Sequence, residues 1–344
     1  MQQDRAVKAS LILTTLVVLL AAAYFARPIL APVSFAIFTV AVVWPVQEAA
    51  QKRMPKLAAT FVTLFATIAA IAVLGYLVVW AFGHVAQWLV ANTARFQSLY
   101  QQATDWLDTH GIPAHAMMAN SFSPNWITSA LRGIGGQGYG LLSFLVIAFA
   151  FIVLGLLEVD IARANIERLE SRALRESLLR PAQEISAKFQ QYMMVRTTMS
   201  LLTGAVVWAF ALVAGIELAI AWGVLAFVLN YIPFIGPLIA TAFPSLFALA
   251  QFESWSLALM VFACLNVIQF FIGSYLEPRI AGAKLSLSPF MVLFAVFFWS
   301  FLWGIAGAFI GVPILIAVLA VCADHESSKW LADLLSGGKH KRIA

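Results

Sequence analysis

Charge is scarce in this chain: Asp, Glu, Lys and Arg together make up 11% of the 344 residues, against about 25% in an ordinary soluble domain. Cysteine is scarcer. Cys264 and Cys322 both lie in apolar runs and make neither a disulfide framework nor a metal site. The five histidines (His84, His110, His115, His325 and His340) are scattered, and the closest pair, His110 and His115, has no cysteine or acidic ligand at metal-site spacing. No metal and no cofactor is expected. Enzyme signatures are missing too. No Walker A lysine follows a glycine loop, and neither Gly-x-Ser-x-Gly nor His-Glu-x-x-His occurs, since His325-Glu326 lacks a second histidine. Gly133-Ile134-Gly135-Gly136-Gln137-Gly138 matches a dinucleotide fingerprint in letters only, because no strand precedes it.

What is abundant is apolar surface. The chain is 62% hydrophobic with a mean hydropathy of +0.90, which makes it an integral membrane protein. The expected fold is all-α, a polytopic bundle of about eight membrane segments that includes short broken or re-entrant helix pairs. The net charge of +5 does not point to nucleic acid, because the basic residues lie where membrane topology wants them.

Arg5 and Lys8 precede the apolar run Leu11–Ala26, a pattern with some likeness to a signal peptide. Arg27-Pro28 and a second run, Ile29–Val43, follow, so residues 1–83 are read as N-terminal membrane segments, the first two joined by a tight outer turn. Lys52, Arg53 and Lys56 mark a short inner loop before the span Leu57–Phe82. Residues 84–138 are polar, with Val85, Trp88, Leu89, Phe96, Leu99, Trp106 and Leu107 at helical spacing. They predict an outer helical hairpin: a helix ended by Gly111 and Pro113, then a short helix Asn125–Leu131 capped by Ser123-Pro124. It either packs on itself or on neighbouring subunits, or gates a pore. Residues 139–157 form a span. Residues 158–196 form cytoplasmic amphipathic helices bent at Pro181, which either are a solvated, salt-bridged face or lie against the bundle. Residues 197–323 are the C-terminal membrane half, where Ser288–Val321 is a hairpin or a strongly kinked span. Residues 324–344 are a cytoplasmic tail. On this layout only Arg27, Arg95 and Arg132 of the 21 lysines and arginines lie outside, and both termini lie in the cytoplasm.

The C-terminal half turns on Asn230-Tyr231-Ile232-Pro233-Phe234-Ile235-Gly236-Pro237. Each proline lacks an N–H and clashes with the preceding turn, and the residues before them, Ile232 and Gly236, are pushed out of the helical region. The run therefore splits into helices Leu218–Leu229 and Leu238–Ala250, each short of the about 20 residues that cross a bilayer. Lipid cannot pair the freed backbone groups, so the break is buried in protein or lines a wet cavity. The alternative is a tight turn at the membrane surface.

No aspartate falls inside these spans, and Glu158, Glu217, Glu253 and Glu277 sit at span ends, so no deep carboxylate relay is visible. The polarity within the spans is neutral. Asn230 precedes the break, and Asn266, Gln269 and Gly273 share a helical face in the returning span. Amides donate and accept, which suits a hydroxylated or carbonyl solute better than a bare ion, although they also join helices to one another. The candidate solute path is Asn230, Tyr231, Pro233, Gly236, Pro237, Asn266, Gln269 and Gly273. Glu277, Pro278 and Arg279 form a gate or structural cap at the cytoplasmic edge, with Arg279 paired to Glu277 or to lipid phosphate. Glu217 and Glu253 are candidates for ion coupling.

The segment Asn230–Pro237 resembles the Asn-x-Ile-Pro-x-Ile-Gly-Pro motif of the AI-2E (autoinducer-2 exporter) transporter family. So do Leu276-Glu277-Pro278-Arg279-Ile280-Ala281-Gly282, Leu287-Ser288-Pro289, and Trp303-Gly304-Ile305-Ala306-Gly307-Ala308 with Val312-Pro313. The likeness in layout covers nearly the whole chain, with specific motifs only after about Tyr192. It implies a permease of the bacterial inner membrane for a small solute, with autoinducer-2 as the name-giving substrate, and a homo-oligomer, a pentamer. Other members are linked to sodium– or lithium–proton antiport, so the solute does not follow from the family. Three functions stand: export of a small polar solute, cation–proton antiport, and a membrane scaffold that transports nothing. Solute and lipid are the expected partners.

Overall fold

Prolines set the geometry of the N-terminal helices. The computed structural model describes residues 2–111, 138–281, 287–324, 326 and 328–335. Helices α1 (Gln2–Phe25) and α2 (Arg27–Gln51) are joined by Ala26 alone. Helical hydrogen bonds run through the joint: the Ala26 N–H donates to Ala22 O at 2.8 Å and the Leu30 N–H to Ala26 O at 2.9 Å. The turn expected at Arg27-Pro28 is therefore a bend. Pro28 sits in the first turn of α2, where a missing N–H costs nothing. Pro45, inside α2, deprives the Ala41 carbonyl of its helical donor. Ser186 Oγ (3.1 Å) and Gln190 Nε2 (3.0 Å) donate to that oxygen instead.

Helix α3 (Lys56–Ala91) is followed after Asn92 by α4 (Thr93–Thr109), so the chain continues past the span as the periodicity predicts, and Gly111 ends it at φ +84°. The expected helix Asn125–Leu131 with its Ser123-Pro124 cap, the loop from Gly133 to Gln137, Gly282, Lys284, His325 and the tail from Ser336 lie outside the described residues.

Helix α5 (Gly138–Glu167) runs past the expected end of its span at Leu157. Helix α6 (Arg172–Val213) shows no boundary at Arg196. A change from charged to apolar composition does not stop a helix, and no glycine or proline intervenes between Pro181 and Gly204. The expected amphipathic region 158–196 is thus divided: its start continues α5 to Glu167, and its part from Arg172 forms one 42-residue helix with the span after it.

The rest comprises α7 (Ala219–Leu229), α8 (Ile235–Phe252) and α9 (Trp255–Phe270). Helix α9 passes through a π-helical turn, Phe271–Leu276, into α10 (Glu277–Ala281); α11 (Pro289–Asp324) and α12 (Lys329–Leu335) follow. Among the described residues seven helices are long and apolar enough to cross a membrane, and Ser10–Phe25 and Ala219–Leu229 are shorter apolar helices. No β-strand occurs among the described residues.

Two compact units interleave along the chain. The first comprises Met1–Ala66, Leu141–Met193 and Ala283–Ala344. Its core includes Ala36, Val40, Ile152 and Leu156, with Phe38 packed edge-on against Phe189 at 5.1 Å. Lys56, at the start of α3, pairs with Asp160 of α5 at 2.8 Å. Helix α11 folds into a hairpin at Gly304 (φ 65°, ψ −144°). Its arms touch backbone to backbone, since a β-carbon on Gly311 would lie 2.8 Å from the Ala295 oxygen.

The second unit comprises Thr67–Gly140 and Met194–Gly282. Its core gathers Val207 and Ala211 of α6, Trp222 and Leu225 of α7, Ala240 and Phe247 of α8, and Val261 and Leu265 of α9. Helices α6 and α7 approach closely because Gly204 and Gly223 face each other: a β-carbon on either would come within 2.9 Å of the other's carbonyl oxygen.

Candidate functional site

Two ordinary helices in the second unit, α7 and α8, are joined by a strained tip. The Asn230 N–H still donates to Ala226 O (3.1 Å), Tyr231 N–H to Val228 O (3.3 Å), and Ile232 N–H to Leu229 O (2.9 Å). The chain then reverses at Phe234, with φ 63° and ψ −52°, and the Ile235 N–H reaches back to Pro233 O at 2.7 Å. That is a γ-turn of the rare, strained hand, here at a bulky residue. The break is thus answered by protein, through local hydrogen bonds. The shallow cavity of about 470 Å³ beside Ala49, Ala50, Lys52, Arg53 and Met54 belongs to the first unit.

The second helix begins at Ile235, earlier than its expected start at Leu238. Gly236 enters the helix despite the proline after it, because without a β-carbon it escapes part of that clash. Pro237 falls in the first turn, where its missing N–H has no helical partner to lose. Gly236 is required by closeness as well, since a β-carbon there would sit 1.9 Å from the Leu229 oxygen.

The tip presents its polar side chains to α6. Asn230, 6% exposed, donates from Nδ2 to Ser200 Oγ at 3.3 Å, and the Tyr231 hydroxyl donates to Thr197 Oγ1 at 3.2 Å. Pro233 and Gly236 are buried and Pro237 is half-buried. Next to Thr197 in the chain, the buried Arg196 holds Glu277 through two contacts, Nη2 to Oε1 at 3.1 Å and Nη1 to Oε2 at 3.3 Å. Arg279 does not pair with Glu277. Its guanidinium stacks over the Tyr275 ring at 4.0 Å, because positions two apart on a helix do not face each other. Pro278 is exposed.

The other sequence-derived residues part company. Gln269 is half-buried, and its Nε2 is buried without a hydrogen-bond partner. Asn266 is exposed and donates to its own helix at Phe262 O, 2.8 Å away. Gly273 is exposed within the π-helical turn, whose extra residue breaks the spacing that lined it up with Asn266 and Gln269. At the other end of the unit, Glu217 Oε2 accepts from Trp88 Nε1 at 2.5 Å. The Glu217 N–H donates to Gln251 Oε1 at 2.9 Å, while Gln251 Nε2 donates to Gly215 O at 2.8 Å. Glu253 caps α8 in the left-handed conformation and is exposed.

Sequence reasoning missed the α6 face. Arg196, Ser200 and Thr203 recur at spacings of four and three, the signature of one helix face, and all three are buried. The pattern is legible once Arg196 is placed inside a helix rather than at its end. No group of three or more metal-ligating side chains occurs among the described residues.

The chain is similar to the AI-2 transport protein TqsA of Escherichia coli (strain K12), with 28% identity over 331 residues, 96% of this chain and 95% of that protein. It is also similar to YhhT of the same strain, 33% identical over 150 residues, 44% of this chain and 43% of that protein. A sequence model described as AI-2E family transporter matches residues 13–326, a stretch that takes in the broken hairpin, the α6 face and most of both units, and the chain belongs to that family.

Proposed function

We propose that the chain is a permease of the bacterial inner membrane that exports a small, polar, uncharged solute resembling autoinducer-2, by a route beside the Asn230–Pro237 break. The carrying observation is the contact of Asn230 with Ser200 and of Tyr231 with Thr197, which sets neutral hydrogen-bonding groups at a discontinuity in an apolar helix pair. Broken helices build solute sites in transporters because their polar groups cannot face lipid. Pro233, Gly236 and Pro237 shape the tip, Gln269 supplies a buried donor, and Glu277 closes the cytoplasmic edge through Arg196. Asn266 and Gly273 join the route from the returning span, and Pro278 and Arg279 its cytoplasmic rim. Both termini lie in the cytoplasm, and the chain assembles as a homo-oligomer, the pentamer implied by the family likeness.

The state of the carboxylates favours this reading over cation–proton antiport. Glu277 is engaged by Arg196 and Glu217 by the Trp88 indole. Sodium-driven pH changes in proteoliposomes between about pH 6 and 9, lost on Glu253→Gln, would reverse that preference. Saturable flux through the purified protein separates both from a scaffold. The direct test is autoinducer-2 efflux from vesicles carrying Asn230→Ala or Gln269→Leu. Both slow it if the route is correct, and wild-type efflux from both folded variants moves the route elsewhere.

A further inference from the structure

The buried face of α6 changes character halfway along. It reads Arg196, Ser200, Thr203, then Val207 and Ala211, and all five are buried. The upper pair belongs to the apolar core of the second unit. Arg196 is held by Glu277 and Ser200 receives Asn230. Thr203 is fully buried, yet its hydroxyl has no hydrogen-bond partner. A valine would fill that space without the penalty of a lone buried hydroxyl. Gln269 Nε2 is in the same state.

These two groups stand at like height. The Arg196–Glu277 pair fixes α6 and the α9–α10 segment at one level, and in the succession α6, α7, α8, α9 these two run antiparallel. At 1.5 Å per residue, Thr203 lies about 10 Å above Arg196, and Gln269 about 12 Å above Glu277. An amide nitrogen only donates, whereas a hydroxyl donates or accepts. A bare cation cannot accept from Gln269 Nε2, but a carbonyl oxygen can accept from both groups. A hydroxyl can accept from Gln269 and donate to Thr203.

We propose that Thr203, with Gln269, is a contact point for a hydroxyl or carbonyl oxygen of the transported solute, and that the α6 face from Arg196 to Thr203 walls its route. This rests on the permease reading above and adds to it a specificity-determining residue that faces the solute from α6 rather than from the hairpin tip.

The test uses the full chain in proteoliposomes, with Cys264→Ser and Cys322→Ser as background. Thr203→Cys is exposed to 2-hydroxyethyl methanethiosulfonate, a small neutral hydroxylated reagent, beside Val261→Cys in the apolar core of the same unit. Modification at least tenfold faster at position 203 is expected, and equal rates overturn the proposal. In parallel, Thr203→Val should lower autoinducer-2 efflux at least fivefold while leaving the melting midpoint unchanged or raised. Wild-type efflux from Thr203→Val overturns the proposal, and does so independently of the route if Asn230→Ala is slow in the same assay. A fall in melting midpoint also overturns it, because it means that the hydroxyl is a structural partner. If the wild-type chain carries no autoinducer-2, that choice of solute fails and the labelling rates alone decide the role of Thr203.

Discussion

Gly236 stands so close to Leu229 across the hairpin tip that a β-carbon on it would lie 1.9 Å from the Leu229 oxygen and 2.5 Å from its carbonyl carbon. Backbone cannot yield as a side chain does. Gly236→Ala therefore has to open the tip, and a loss of about 3 kcal/mol is expected, at the upper end for overpacking. Gly273→Ala is the control, since no atom lies within 4 Å of its added carbon. Thermal unfolding in detergent should show a lower midpoint for the first variant and none for the second. Equal midpoints would mean that the arms do not meet at Gly236.

The Arg196–Glu277 pair is the second expectation. The Arg196 side chain is 10% exposed and that of Glu277 26%, so neither charge is well hydrated. Glu277→Gln leaves a buried guanidinium without its counter-charge, which costs about 3–5 kcal/mol when one member of a buried pair is removed. The double variant Arg196→Met/Glu277→Leu should recover most of that loss. Glu176→Gln, which removes an exposed pair with Arg172, should leave the denaturation midpoint close to that of the wild type. Chemical denaturation of the four proteins is the measurement. A Glu277→Gln variant as stable as the wild type would show that the pair is hydrated after all.

How much of this was legible in the sequence follows from the range of the interactions. Pro233, Pro237 and Gly236 act through their own backbone, so the break and its two helices could be read directly, whereas Ser288–Val321 reads equally as a hairpin or a strongly kinked span until Gly304 is seen to turn it. The start of α8 was misplaced because a rule about the residue before proline was applied to a glycine, which carries no β-carbon. The sequence offers Arg279 either Glu277 or lipid phosphate, whereas the partner of Glu277 is Arg196, 81 residues away. Composition cannot reveal that distance. Ser200 and Thr203 were invisible for another reason: single hydroxyls are common in membrane helices, and only burial distinguishes these two. The π-helical turn after Phe270 left no sequence signal, and it moves Gly273 off the helical line of Asn266 and Gln269.

A third expectation concerns the loop between α6 and α7. Gln251 uses both ends of its amide there, accepting from the Glu217 N–H and donating to the Gly215 carbonyl, while its own carbonyl accepts from Arg95 at 3.2 Å. Gln251→Ala leaves two exposed backbone groups to water, and a loss of about 1 kcal/mol is expected. Hydrogen exchange at Ile216 and Glu217 should quicken in step. Glu217→Gln keeps an oxygen that can accept from Trp88, so it should cost under about 1 kcal/mol and leave transport unchanged. Lost transport in that variant would return Glu217 to the ion-coupling role.

The hairpin of α11 offers the sharpest separation of causes. Gly304 has φ 65° and ψ −144°, and no atom lies within 4 Å of an added β-carbon. Gly307, three residues on, has no positive φ, but a β-carbon there would lie 1.8 Å from the Trp299 oxygen. Gly304→Ala should thus cost about 1–3 kcal/mol through backbone conformation alone, and Gly307→Ala more, through collision. Asparagine discriminates further. It relieves the ordinary left-handed conformation, where ψ is near +50°, but not a ψ near −144°. Gly304→Asn should therefore melt as early as Gly304→Ala. If asparagine restored the wild-type midpoint, the tip would have to be an ordinary left-handed turn, and the close passage of Gly307 against Trp299 would need a different cause.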